Sequence, residues 1–279
     1  MMMKRFCSFL LISLFFTVTV CAQRGARDIF AEASAAYEAE RAELARDLYQ
    51  EVVDKHPRRR KLAPLALFNV ALISYELEDF ARARAGFQKI LESDYDERQS
   101  VGGSIMDNPY ANFRHQASNY LYRMALREEQ YEDALTYFAL ADSVYPLQHF
   151  CGNAYAEEEI HLAVGYSQLY TQLGRGEEAL PRLLQAAVPN GLAHSGPAVE
   201  ELRRQLEGRS GIGAELDAAL AAATLVEENS YSAKLIFTFL GEELAYTPYM
   251  NILEADIDLL EAARDKFKTT KFYLVIAEL

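Results

Sequence analysis

Tryptophan is missing from this sequence, and cysteine nearly so: Cys7, Cys21 and Cys151 are all there is. Two of the three fall in the first 22 residues, so the rest of the chain carries one thiol. An internal disulfide and a paired-cysteine metal motif are both excluded there, and the fold must stand on packing alone. The environment expected for that last thiol is a packed position beside Phe150. His56, His115, His149, His161 and His194 are spaced too widely to give a zinc pair on one helix. A phosphate-cradling glycine loop and a Gly-x-Ser-x-Gly elbow are absent as well. Positive charge is scarce: 28 basic residues stand against 41 acidic ones, a net charge of −13. Such a surface repels phosphate backbones and anionic lipids, so nucleic acid is not an expected partner.

Only Phe6 to Val20 forms a long apolar run. It follows the basic start Met1-Met2-Met3-Lys4-Arg5 and ends at Val20-Cys21-Ala22, small residues of the kind a signal peptidase reads. Residues 1–22 are expected to be a secretory signal peptide, cut after Ala22. An uncleaved anchor and lipidation at Cys21 are the alternatives, the latter disfavoured by the bulk of Val20. The expected location is periplasmic or extracellular, or lipid-anchored at the envelope, with membrane association only through the N-terminus if Cys21 is lipidated. Removing these residues takes Lys4 and Arg5 and no acid, leaving 26 basic and 41 acidic residues.

What the chain does have is a repeating seam. In Tyr131–Pro146, the residues Tyr131, Ala134, Phe138 and Ala141 share one helical face, and Pro146 stops the helix. Phe80, Ala83 and Phe87 repeat the pattern. Ala45 and Tyr49 repeat it again with Pro57 behind them, and Ala179 with Leu183 is a weaker fourth copy that follows a turn at Gly174. A helix with its own stripe precedes each copy: Ile29, Ala33 and Ala36; Leu67, Val70, Ala71 and Ser74; Leu121, Tyr122 and Ala125; Ala163, Tyr166, Ser167 and Tyr170.

At these residues the chain resembles the tetratricopeptide repeat family over about residues 26–191. The family's small eighth residue corresponds to Ala33, Ala71, Tyr122 and Ser167. Its twentieth, alanine, corresponds to Ala45, Ala83, Ala134 and Ala179. Its twenty-fourth, an aromatic, corresponds to Tyr49, Phe87, Phe138 and Leu183, and its thirty-second, proline, to Pro57, Tyr95, Pro146 and Gly191. The family's tryptophan has no counterpart. The resemblance implies a helical-hairpin solenoid that binds a protein or peptide segment along its first helices. In unit two the implied contacts include Phe68, Leu72 and Tyr75; in unit three Gln116, Asn119, Arg123 and Arg127; in unit four Gln168. The Lys and Asn pairs with which some members clamp a carboxylate are not matched.

The units are unevenly spaced. Ser100-Val-Gly-Gly-Ser104 and Asp107-Asn-Pro109-Tyr mark a loop insertion between units two and three, and Cys151-Gly152-Asn153 another between three and four. Arg58-Arg59-Arg60-Lys61, at the first inter-unit turn, could grip an acidic peptide or a lipid headgroup. The preferred reading is positive charge suited to a helix C-terminus. Residues 192–228 read as a helical cap, with helices at Pro197–Leu206 and Ala214–Thr224. Residues 229–279 read as a β-β-α-β unit: strands at Ser232–Leu240 and Glu243–Thr247, a helix at Glu254–Phe267 and a strand at Phe272–Ile276. The fold class is thus mostly α, a helical-hairpin solenoid with a small C-terminal α+β unit.

No catalytic, metal or cofactor residues emerge. Glu157-Glu158-Glu159-Ile-His161 reads as an acidic helix start, and Glu200-Glu201 as a surface pair. The expected function is an exported, non-enzymatic protein-interaction scaffold in envelope assembly. The alternatives are a passive, self-associating subunit and an enzyme whose site lies in the C-terminal unit.

Overall fold

The four seam alanines occupy like positions. Ala45, Ala83 and Ala134 are fully buried and Ala179 is 2% exposed. Each lies at the start of the second helix of a hairpin, with buried Tyr49, Phe87, Phe138 or Leu183 four residues on. The computed structural model describes residues 24–102, 108–189, 193–226, 233–249 and 258–279. Residues 1–22 with Cys21, the 103–107 part of the first insertion, Gly191, Ser232 and the expected helix start at Glu254 lie outside these.

The hairpins are α1 (Ala26–Glu38) with α2 (Ala42–Lys55), α3 (Leu62–Glu76) with α4 (Phe80–Leu91), α5 (Phe113–Arg127) with α6 (Tyr131–Ala139), and α7 (Gly152–Gln172) with α8 (Leu180–Ala187). A π-turn, Leu140–Val144, extends α6, and a 3-10 turn, Gly176–Ala179, leads into α8. One backbone turn closes all four. Arg41, Asp79, Gln130 and Arg175 each donate N–H to the carbonyl five residues back, at 2.7–2.9 Å. The residue before each is left-handed: Glu40 (φ 57°), Glu78 (59°), Glu129 (58°) and Gly174 (71°). This is the Schellman closure, which satisfies carbonyls that the helix end leaves free.

Neighbouring hairpins share their seams. Unit one's Ile29, Ala33, Tyr49 and Val52 close against Val70 and Ile73 of α3. Unit two's Phe68 and Phe87 close against Phe113 and Leu121 of α5. Hence α3 is apolar all round, covered by α2, α4 and α5, while α2 and α4 each bury one stripe. Between units three and four the contact is narrower and centres on Phe138, which packs with Tyr122, Leu162 and Leu169. Gly165 makes this approach possible, because a Cβ there would lie 2.3 Å from Phe138 Cζ.

The insertions are tied to each other. Glu97 accepts the backbone N–H of Arg114 (3.1 Å) and its Nε (2.8 Å), capping α5 from the first insertion. Buried Asn112 (φ 51°) accepts from Gln148 N at 2.7 Å and donates to Gln148 O at 3.0 Å, holding the second insertion to the first.

Beyond unit four the chain continues with α9 (Gly196–Leu206), α10 (Ile212–Ala221), β1 (Thr224–Val226), β2 (Lys234–Phe239), β3 (Glu242–Tyr246), α11 (Leu259–Lys268) and α12 (Lys271–Ile276). The sheet is antiparallel in the order β1-β2-β3, with Phe237 opposite Leu244. Leu240-Gly241, both at positive φ, make the hairpin turn. Leu235, Phe237, Phe239, Leu244 and Tyr246 alternate inward onto α8–α12, so this region shares one core with unit four.

Two expectations are corrected here. The order is β-β-β-α-α: the third strand comes before the hairpin, from Thr224–Val226, starting where the second cap helix was expected to end. Phe272–Ile276 is a helix, not a strand. Its β-branched and aromatic residues suited a strand, but Thr270 caps it by accepting from Tyr273 N at 3.3 Å, and Phe272 and Ile276, four apart, are both fully buried. Glu201 is likewise no surface residue. At 2% exposure it accepts the Ser167 hydroxyl at 2.8 Å and lies 2.5 Å from Arg204 Nη2.

Candidate partner-binding face

The first helices of units one to three touch in series and present one face. Tyr37 of α1 donates its hydroxyl to both carboxylate oxygens of Glu76 on α3, at 2.9 and 2.8 Å. Beside Glu76, Tyr75 packs edge-on to Tyr120 of α5 at 5.1 Å, and Tyr120 stacks parallel on Phe87 at 4.8 Å. Arg123 follows one turn on, its guanidinium 5.4 Å from the Tyr120 ring centre. Arg127 lies 4.3 Å over the ring of Phe80. Both arginines are exposed. The charges act on the rings in opposite senses. The Glu76 hydrogen bond raises the pKa of the Tyr37 hydroxyl. Burial raises that of Tyr120, while Arg123 pulls it back.

The expected site residues fall in four settings, with Arg123 in two of them. Leu72, Tyr75, Arg123 and Arg127 are partly or fully exposed on this face. Gln116, Asn119 and Arg123 line a cleft of about 240 Å³ that also holds His115, Tyr120 and Leu147. There Gln116 donates to Ala111 O at 2.6 Å, and Asn119 Nδ2 lies 3.1 Å from His115 Nε2. The other His115 nitrogen, Nδ1, faces the carbonyls of Ala141 (3.2 Å) and Tyr145 (3.0 Å), so Nδ1 carries a hydrogen, while Glu158 Oε1 lies 3.7 Å from Nε2. Gln168 is exposed on α7, away from this cleft. Phe68 is corrected: 7% exposed, it belongs to the core, with Phe87, Phe113 and Tyr120 within 6.0–6.3 Å.

Tyr37 and Tyr120 escaped the sequence reading. Tyr37 follows Ala36 of the first stripe and carried no signal of its own for the face. Tyr120 sits where no family contact was carried over, and only the cross-unit stack reveals it. A second cleft, about 640 Å³, was also missed. It opens between α6 and α7–α8, lined by Leu135, Leu140, Val144, Tyr166 and Tyr170. Arg182 crosses its wall, bonding Asp142 (2.7 and 3.2 Å) and Glu159 (2.7 and 2.9 Å), while Tyr166 donates to Asp142 at 3.1 Å. The Arg182 hydrogen bonds hold the Asp142 carboxyl below its ordinary pKa. Burial and then Asp142 push the Tyr166 hydroxyl well above its own.

Among the described residues no group of three or more His, Cys, Asp or Glu side chains could hold a metal ion, and no helix is long and apolar enough to cross a membrane. Cys151 is a free, half-buried thiol. Its expected neighbour Phe150 is 56% exposed and stacks on His149 instead.

No known protein family matches the chain, and no curated protein does. Among solved structures, a thermophilic TPR protein from Thermus thermophilus is similar to it at 20% identity, over 71% of this chain and 87% of that one, with a TM-score of 0.34.

Proposed function

We propose that this chain is an exported, non-enzymatic scaffold of the tetratricopeptide kind that holds a segment of another protein on the first-helix face of units two and three. The observation that carries the reading is the pair Arg123 and Arg127. Both guanidiniums are exposed and each lies over an aromatic ring, with Tyr75 and Leu72 as neighbouring apolar surface. Cations fixed on rings beside apolar surface suit an extended or helical peptide with apolar anchors and one or two carboxylates. Export is supported by the basic start, the apolar run and the small residues ending at Ala22. A role in bacterial envelope assembly follows from export joined to peptide holding.

The test is photocrosslinking in cells from positions 75 and 123, with the captured partner identified by mass spectrometry. A defined partner segment, lost on Arg123→Glu with Arg127→Glu in a protein of unchanged melting temperature, is the expected result. Crosslinks only to further copies of this chain would favour the passive, self-associating subunit instead.

A further inference from the structure

Arg58, Arg59, Arg60 and Lys61 join α2 to α3, and all four are exposed. Many other arginines pair with carboxylates, as Arg84 does with Glu128 and Arg182 with Asp142 and Glu159, while Arg27, Arg41, Arg82, Arg98 and Arg123 make no ion pair among the described residues. Just upstream, Lys55 pairs with Glu51 and Arg24 with Glu32 and Glu51. Among the described residues these four cations make no ion pair, in a chain with 41 acidic residues available.

The expected helix C-terminus, where positive charge is favourable, accounts for them only in part. Arg58 and Arg59 line a cleft with Asp54, Lys55 and His56 at the end of α2, and Arg59 N–H donates to His56 O at 3.0 Å. Lys61 stands at the start of α3, where a cation meets the positive end of the helix dipole and no acidic residue in the first turn offsets it. Four adjacent exposed cations with no ion pair among the described residues leave a patch open to an external anion.

We propose that Arg58–Lys61, with Arg27 across the same cleft, form a docking patch for anionic lipid headgroups at a membrane surface. The cleft measures about 740 Å³, with Asp28 as the one carboxylate and no aromatic side chain on its walls. On their other side Arg60 and Lys61 line a second cleft with Asp94, Asp96 and Tyr95. A charged membrane surface asks only for point charges within a Debye length of it, which lysine and arginine side chains supply. This inference stands apart from the first-helix face, whose arginines are on α5.

The test is flotation of the exported form, from Gln23, with vesicles of phosphatidylcholine alone and of phosphatidylcholine with about one-third phosphatidylglycerol, the ratio of the two reading the patch. At about 50 mM salt a ratio of about ten or more is expected, falling towards one at about 500 mM as the charges are screened. The variant Arg58→Gln, Arg59→Gln, Arg60→Gln, Lys61→Gln should bring it towards one at low salt, with an unchanged melting temperature. The double variant Arg58→Gln, Arg59→Gln should fall between. A ratio near one for the wild type, or an unchanged ratio in both variants, overturns the proposal. So does an acidic peptide, such as decaglutamate, that binds the chain more tightly than the anionic vesicles do.

Discussion

The ring of Phe138 packs against the backbone of Gly165, so closely that a methyl group at 165 would lie 2.3 Å from Cζ and 2.8 Å from Cε1. Phe138 is fully buried and also touches Tyr122 at 4.6 Å and Tyr166 at 5.0 Å, which leaves the ring little room to retreat. Gly165→Ala should therefore destabilise the protein by about 1–3 kcal/mol, and Phe138→Ala by about 3–5 kcal/mol. Denaturant unfolding measures both. A Gly165→Ala variant as stable as wild type would show that α6 and α7 are not this close.

The hairpin turns carry a cost at three of four positions. Glu40, Glu78 and Glu129 hold the left-handed conformation that Gly174 adopts freely. Replacing each with glycine should raise stability by about 0.5–1 kcal/mol, less whatever glycine adds to the entropy of the unfolded chain. Gly174→Ala should lower it by about 1 kcal/mol. Melting temperatures of the four variants decide the matter, and opposite signs at Glu129 and Gly174 are the diagnostic pattern.

Asp142 supplies a pH dependence. Its carboxyl is held below the ordinary range, first by the Arg182 hydrogen bonds, so the folded state favours the ionised form. That stability is fully present above the unfolded pKa, about 3.9, and is lost as pH falls through the folded value below it. Asp142→Asn should cost about 1–3 kcal/mol at neutral pH and much less near pH 2. A cost that stays constant from about pH 7 to about pH 2 would remove Asp142 from the acid response.

Asn112 has two duties, a left-handed backbone and a clamp on Gln148. Glycine keeps the first and loses the second; alanine loses both. Asn112→Gly should expose the amide of Gln148 to faster hydrogen exchange with about 1–2 kcal/mol of lost stability. Asn112→Ala should cost about 1 kcal/mol more.

On the proposed binding face, function and stability should separate. Tyr120 is stacked on Phe87, so Tyr120→Ala should cost about 2–4 kcal/mol. Arg123 and Arg127 are exposed, so their replacement by alanine should change stability by under about 1 kcal/mol each. A large loss of stability at Arg123 would recast it as a structural residue.

Much of the hairpin architecture was legible because its signal is local. Ala45, Ala83 and Ala134 need only a small residue four positions ahead of an aromatic, and helix geometry then puts both on the same face. Gly174 announced its turn outright. The equivalent turns at Glu40, Glu78 and Glu129 did not, because glutamate gives no sign of a left-handed backbone that the closing hydrogen bonds impose. Phe68 was misplaced for a different reason. Its position on the first helix fits a face residue, but the neighbouring unit decides what covers it, and Phe113 and Tyr120 do. The strand read at Phe272–Ile276 failed because propensity over so short a run is weak against a Thr270 cap and two burial positions one helical turn apart.

The sequence by itself determined that helices pair through alanine-and-aromatic seams, written in spacings of three to five residues, and that a mixed α+β segment follows, written in its strand-forming residues. Only the tertiary structure decided which aromatic is core and which is surface, where the turns at Glu40, Glu78 and Glu129 fall, that Arg58–Lys61 lie between the end of α2 and the start of α3, and that the last helices share a core with unit four. Those properties depend on which distant residues approach one another, and long-range packing leaves no periodic mark on the chain.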